Sequence, residues 1–212
     1  KKIKIDIVSD VVCPWCYIGQ ERLSKAIESS GVDTEINWQP FQLHPDLPTA
    51  GADKFKFLEG KFGGSGEAMF KNVENAAKSE GLAFNTENVA NIPNTVESHR
   101  IMHLAKSKGL ESEMALAFFE AYFVNGEDLT TSEGILNVAV KGGLERKEAQ
   151  DYLDSDAGKQ EVLGIEQQYK AAGIQSVPSF ILNDKFLIQG AQSPETFIQA
   201  FEQIEKMESE SV

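Results

Sequence analysis

The chain has 212 residues, 41% of them hydrophobic and 25% charged, with a formal net charge of −13. That size and balance suit a globular chain with room for a substantial core. The acidity argues against nucleic-acid and anionic-membrane partners, which require clustered Lys and Arg, and no apolar run approaches the roughly 20 residues of a membrane span.

In chain order, alternating Ile3, Ile5 and Ile7 read as a strand over 3–8. The stretch Ser9-Asp10-Val11-Val12-Cys13-Pro14-Trp15-Cys16 follows and holds both cysteines of the chain at C-x-x-C spacing. A helix is expected from Tyr17 to about Ser29, with Leu23, Ala26 and Ile27 on one face and Gly31 past its end. A second strand reads over 34–43, where Pro40 favours an edge or a strand end. From His44 the chain is turn-rich, and Gly63-Gly64-Ser65-Gly66 reads as a mobile bend. Between Glu67 and Gly173 the pattern gives only helices, over 67–79, 95–107, 112–124, 132–140, 146–153 and 157–172. Gly81, Gly109, Gly126, Gly142 and Gly173 are placed as C-caps, and Asn94-Thr95 and Thr131-Ser132 as N-caps. Strands at 179–182 and 186–189 flank Asn183-Asp184-Lys185, a hairpin turn, and Pro194 opens a last helix to about Met207 before a frayed tail at 208–212. The order is βαβ, a helical block, then ββα. The expected fold class is therefore α/β, with 1–45 and 157–212 forming one unit and 46–156 inserted as an all-helical domain.

A C-x-x-C between a strand and a helix is the thioredoxin-type redox arrangement. A thiolate is favoured at a helix N-terminus, where free N–H groups and the helix dipole stabilise negative charge. Cys13 stands there, with Pro14 at the first helical position, and Cys16 lies one turn on, within reach of a disulfide. Cys13 is the expected nucleophile and Cys16 the resolving thiol. The competing readings are a buried structural pair or half of a zinc site. Zinc would need about four ligands, and His99 and His103, spaced i, i+4, lie more than eighty residues from the cysteines. Val177-Pro178, immediately before a strand, is the second anchor, and on its own a trans bond is favoured there.

Four motifs, Ser9-Asp10-x-x-Cys13-Pro14-Trp15-Cys16-Tyr17-Ile18-Gly19, Trp38-x-Pro40-Phe41-Gln42-Leu43, Asn94-Thr95-x-x-x-His99-Arg100 and Gly173-Ile174-x-x-Val177-Pro178-x-Phe180, occur in this order over nearly the whole chain. Together they resemble the DsbA family, in its FrnE-like branch, which is related to 2-hydroxychromene-2-carboxylate isomerases and kappa-type glutathione transferases. The resemblance implies a thioredoxin fold with an inserted all-helical domain, a cis Val177-Pro178 bond packed against the Cys13 sulfur, and thiol–disulfide oxidoreductase activity. It also implies that the inserted helices cover the redox site, so that His99 and Arg100 would bind substrate or shape its edge. The Pro14-Trp15 dipeptide differs from the Pro-His of typical periplasmic members and the Gly-Pro of thioredoxins, which leaves the direction of electron flow open. The related isomerases and transferases usually carry serine where Cys13 stands.

The catalytic set expected is thus Cys13, Cys16 and Pro178, with Pro14, Trp15, Val177, His99 and Arg100 as substrate-binding residues and no metal. A Val177 backbone left free would pair with an extended cysteine-containing polypeptide or with glutathione, as an added strand. The cofactor is the Cys13–Cys16 disulfide itself, with glutathione as an optional co-substrate. Trp15 is expected exposed beside the sulfurs. Asp10 is expected to cap the loop by bonding to nearby backbone, with proton acceptance as the alternative. Phe118, Phe119, Tyr122 and Phe123 read as a core stripe, with a groove for unfolded polypeptide as the alternative. Two further functions compete: a glutathione-dependent isomerase or transferase on an aromatic small molecule, and a non-enzymatic, chaperone-like polypeptide-binding module. No secretory signal pattern is visible and two cysteines are too few for a disulfide scaffold, so the cytoplasm is the expected compartment; the missing initial Met leaves a removed leader open.

Overall fold

The computed structural model describes residues 1–63 and 66–211. Gly64 and Ser65 of the expected bend, and Val212 of the expected tail, lie outside the described residues. A four-stranded mixed sheet has the order β2-β1-β5-β6, formed by β1 (Ile3–Ser9), β2 (Thr34–Pro40), β5 (Ser179–Leu182) and β6 (Phe186–Gln189). β1 runs parallel to β2 and antiparallel to β5, which is antiparallel to β6. Between β1 and β2 the chain crosses over through α1 (Pro14–Ser30), and α9 (Pro194–Glu210) packs against α1. This is the expected α/β thioredoxin fold. No described helix is long and apolar enough to cross a membrane.

β1 is central, and its sequence shows why. Ile3, Ile5 and Ile7 enter the main core with Leu23, Ala26, Phe180 and Phe197, while Val8, on the alternate register, joins Phe41 and Ile174 in a second cluster. Both faces of the strand are covered. β2 is an edge strand, as Pro40 suggests, and two donors along this edge are taken by carboxylates. Trp38 N–H donates to Glu111 Oε1 at 2.6 Å, and Gln42 N–H, just past the strand, donates to Glu166 Oε2 at 2.6 Å. These contacts bring α5 (Glu111–Phe123) and α8 (Lys159–Ala171) onto the sheet edge, where a bare edge would invite further pairing.

The elements follow the expected order and differ in detail. β2 stops at Pro40 rather than Leu43, because the chain turns there into a loop with other partners. Between the turn-rich stretch and the expected bend, where the sequence pattern assigns no element, lies α2 (Lys54–Phe62), whose N-cap Asp53 accepts from Lys56 N–H. β3 (Ala52–Asp53) and β4 (Asn91–Ile92) pair as a two-stranded ribbon inside a block read as wholly helical. α3 (Gly66–Ser79), α4 (Val96–Ser107), α6 (Ser132–Lys141) and α7 (Arg146–Asp154) lie close to their expected spans, and α9 continues past Met207 to Glu210. At the end of α6 the left-handed residue is Gly143 rather than Gly142. α4 is capped by Asn94, whose Oδ1 accepts from Val96 N–H, and not by the Thr95 hydroxyl.

Gly19 lets α1 approach β5. A Cβ there would stand 3.1 Å from Pro178 Cγ and 3.2 Å from Phe180 Cζ. Gly19→Val adds three carbons at this contact and should lower stability by about 1–3 kcal/mol, read as a lower urea midpoint at unchanged slope; an unchanged midpoint would show that the contact yields freely.

Candidate active site

Cys13 is the N-cap of α1, with extended backbone (φ −89, ψ 112) and Pro14 at the first helical position. No carboxylate lies in the first turn, so nothing on α1 opposes negative charge on the sulfur. Both cysteines carry free thiols. Their surroundings differ. Cys13 faces a cavity of about 340 Å³ walled by the C-x-x-C loop, α2, α3 and the end of α5. Cys16, one turn on, is fully buried, and burial first, then the adjoining Cys13 thiol, hold its pKa well above the ordinary thiol range.

The second anchor closes on the first. The Val177–Pro178 bond is cis, and Cys13 Sγ lies 3.8 Å from Val177 O, to which it donates. The Val177 N–H has no backbone or side-chain partner among the described residues. Val177, Pro14 and Trp15 all line the cavity, and Trp15 is 37% exposed, beside the sulfur.

Below the loop lies an arrangement only partly visible in sequence. Asp10 is fully buried, and its carboxyl group does cap the adjacent backbone, accepting from Val11 N–H at 2.9 Å. It also accepts from Leu43 N–H at 2.8 Å and lies 3.1 Å from His99 Nε2. The same His99 nitrogen is 3.1 Å from the Phe41 carbonyl. A carbonyl only accepts, so Nε2 carries the hydrogen and donates. His99 is therefore a buried brace beneath the C-x-x-C loop and does not line the cavity. Arg100 departs further from its expected place. Its guanidinium is 2% exposed and donates to the carbonyls of Tyr152, Ser155 and Ala157 and to Glu97, tying down the α7–α8 turn. Adjacent residues on a helix point in different directions: His99 turns to the sulfur loop and Arg100 away from it.

The aromatic stripe is core and cavity wall at once. Phe118 and Phe119 are buried, and Tyr17, right after Cys16, stacks on Phe119 at 5.1 Å and on Phe84 at 5.5 Å. Phe84 stacks on Phe123 at 4.8 Å, and Phe123 and Tyr122 reach the cavity. The α3 wall matches the helix expected over 67–79, whereas the α2 wall had one usable sequence signal, Asp53 as an N-cap before Phe57 and Leu58.

The chain matches the model of the DSBA-like thioredoxin domain over residues 4–202. Among solved structures it is similar to a probable DsbA oxidoreductase from Streptomyces coelicolor, with TM-score 0.87 and 31% identity, covering 95% of this chain and 89% of that one. The Bacillus subtilis protein YwbO is 27% identical over 209 residues, 96% of this chain and 98% of its own length. A cytosolic disulfide reductase, DsbM from Pseudomonas aeruginosa, solved with GSH, shares the fold at TM-score 0.67 and 15% identity, covering 96% of this chain and 99% of that one.

Two outcomes test the site as described. Asp10→Ala leaves the Val11 and Leu43 N–H groups without their acceptor, while His99 keeps the Phe41 carbonyl, and should cost about 2–4 kcal/mol of stability, measured by urea unfolding. In a Cys13→Ser variant, burial keeps the Cys16 pKa raised, so iodoacetamide should label Cys16 slowly up to about pH 9, above the ordinary thiol value. Fast labelling at neutral pH would contradict the burial.

Proposed function

We propose, since the chain belongs to the family of DSBA-like thioredoxin domains, that it is a thiol–disulfide oxidoreductase whose redox centre is the Cys13–Cys16 pair. The observation that carries the reading is the asymmetry of the two sulfurs, Cys13 on the cavity at a helix N-terminus and Cys16 buried behind it. Exchange requires an attacking thiolate, favoured by the α1 N-terminus. It also requires a second thiol that stays protonated until needed, and burial at Cys16 supplies that.

The steps follow. The Cys13 thiolate attacks one sulfur of a substrate disulfide, the S–S bond breaks, and one substrate thiolate leaves. Cys16 then gives up its proton and attacks Cys13 in the mixed disulfide, releasing the second substrate thiol and forming the Cys13–Cys16 disulfide. The substrate gains two electrons and the protein loses two. Run backwards, the same steps oxidise a dithiol. Val177, with its N–H open next to the sulfur, pairs with the backbone of an extended cysteine-containing peptide or of glutathione. Trp15 adds an exposed aromatic face, and Pro178 completes the loop against Cys13. His99 acts in this reading by bracing the loop from beneath, and Arg100 by holding the α7–α8 turn, neither touching substrate.

Cys13→Ser should abolish dithiothreitol-driven insulin reduction above background, while Cys16→Ser should accumulate a mixed disulfide on Cys13, visible by intact mass. Turnover surviving in Cys13→Ser would overturn the reading. Saturable glutathione-dependent turnover of an aromatic substrate surviving in Cys16→Ser would point to the isomerase or transferase alternative instead.

A further inference from the structure

The cavity beside Cys13 has a feature that thiol–disulfide exchange does not itself require. In a chain with 33 acidic and 20 basic residues, the cavity wall includes Lys54 and Lys61 and, among the described residues, no carboxylate. Both lysines come from α2, where Lys54, Phe57, Leu58 and Lys61 all line the cavity at spacing i, i+3, i+4, i+7. One helix face thus presents an apolar centre with a cation at each end.

Lys54 is only 6% exposed. Its ammonium donates to the Thr86 carbonyl and stands 4.8 Å from the centre of the Phe70 ring. Thr86 and Phe70 both line the cavity, so the charged head is at the cavity. An ammonium has three donors, and the carbonyl uses one. Neither lysine forms an ion pair among the described residues, whereas Lys25 pairs with Glu80 and Lys108 with Glu148, each at 2.7 Å. Burial lowers the Lys54 pKa, and Glu74 and Glu87, which do not line the cavity, offset this only in part; an anion entering the cavity would offset more of the cost of burying the charge. Lys61 is exposed and reaches the cavity from its rim. His44, also on the wall, adds little charge at neutral pH, since burial and then Lys61 lower its pKa. A cavity of about 340 Å³ is at the small-molecule end of ligand sites.

We infer that the cavity takes small thiols and disulfides with a flat apolar body that ends in a carboxylate, the sulfur at Cys13 and the carboxylate at Lys54. This rests on the oxidoreductase reading above and specifies its substrate class. With bis(carboxynitrophenyl) disulfide as probe, the Cys13 thiolate attacks one sulfur and one aryl thiolate leaves. Cys16 then displaces the second aryl thiolate from the mixed disulfide. The protein loses two electrons, the probe gains two, and the thiol protons pass to solvent.

The test compares that dianionic probe with uncharged dipyridyl disulfide, as the ratio of second-order rate constants for the reduced full chain at one salt concentration. Lys54→Met should lower the ratio about tenfold or more, the scale of a charge-assisted hydrogen bond. Lys61→Met should lower it about two- to fivefold, as an exposed and screened charge. A ratio unchanged in both variants overturns the inference. Should Lys54→Met not fold, Lys61→Met and an experiment on the unmodified protein decide: naphthoate should slow iodoacetamide labelling of Cys13, and naphthamide, its uncharged counterpart, should not. Equal protection by the two, or by neither, also overturns it. Failure to reduce either disulfide would instead refute the oxidoreductase reading, and naphthoate protection would still report on the anion site.

Discussion

The buried Asp10 carboxyl group is the contact on which the site depends. The β1–β2 ladder ends at the Ser9–Pro40 pair, and Phe41 N–H makes one last bond to Ser9 O. Beyond that the two chains diverge, one toward Cys13 and the other toward the inserted helices, and their buried backbone groups need partners. Asp10 supplies them by accepting from Val11 on its own loop and Leu43 on the other, while His99 reaches from α4 to Asp10 and Phe41 together. Three segments distant in sequence are joined through one nitrogen and two oxygens. On the far side, Glu166 of α8 holds Gln42. The loop leading to Leu43 and His44, both on the cavity wall, is thus clamped on two sides.

That clamp fixes where Cys13 stands relative to the helices that face it. Exchange chemistry is sensitive to approach, since the attacking thiolate must meet an S–S bond from an accessible direction. Cys13 is 4% exposed overall yet lines the cavity, so the cavity is the open side of its sulfur. The Tyr17–Phe119 and Phe84–Phe123 stacks carry the same rigidity behind the sulfurs and join α1 to α5. Sheet, redox loop and inserted helices therefore share a single continuous core.

Much of this is legible in the chain itself, and the boundary of legibility has a physical cause. Period-2 isoleucines, the C-x-x-C at a strand end, glycines past helix ends and the hairpin at Asn183-Asp184 are local signals, and the structure contains each of them. Asp10 as a cap of the next residue is local as well. Its bonds to residues 33 and 89 positions away are not, and no pattern within a window announces them. His99 and Arg100 could be placed on one helix, but which of the two faced the sulfurs depended on how α4 is rotated against its neighbours. That rotation is set by packing on α5, α7 and α8.

The segment read least well, 44–63, forms a wall of the cavity, and the two facts have one cause. A helix is recognised by burying its apolar residues and exposing its charges. In α2, Lys54 is 6% exposed and the neighbouring Phe55 is 70% exposed, the reverse of that rule. A segment that contradicts local patterning at an energetic cost persists only where something else offsets the cost, and such contradictions concentrate at functional sites. Here the buried Lys54 lines the cavity that Cys13 also lines. The same buried ammonium that hides the helix from a periodicity argument gives the cavity a positive group. The walls of the cavity thus come from the inserted helices, whereas Cys13 and Cys16 come from the strand-to-helix junction.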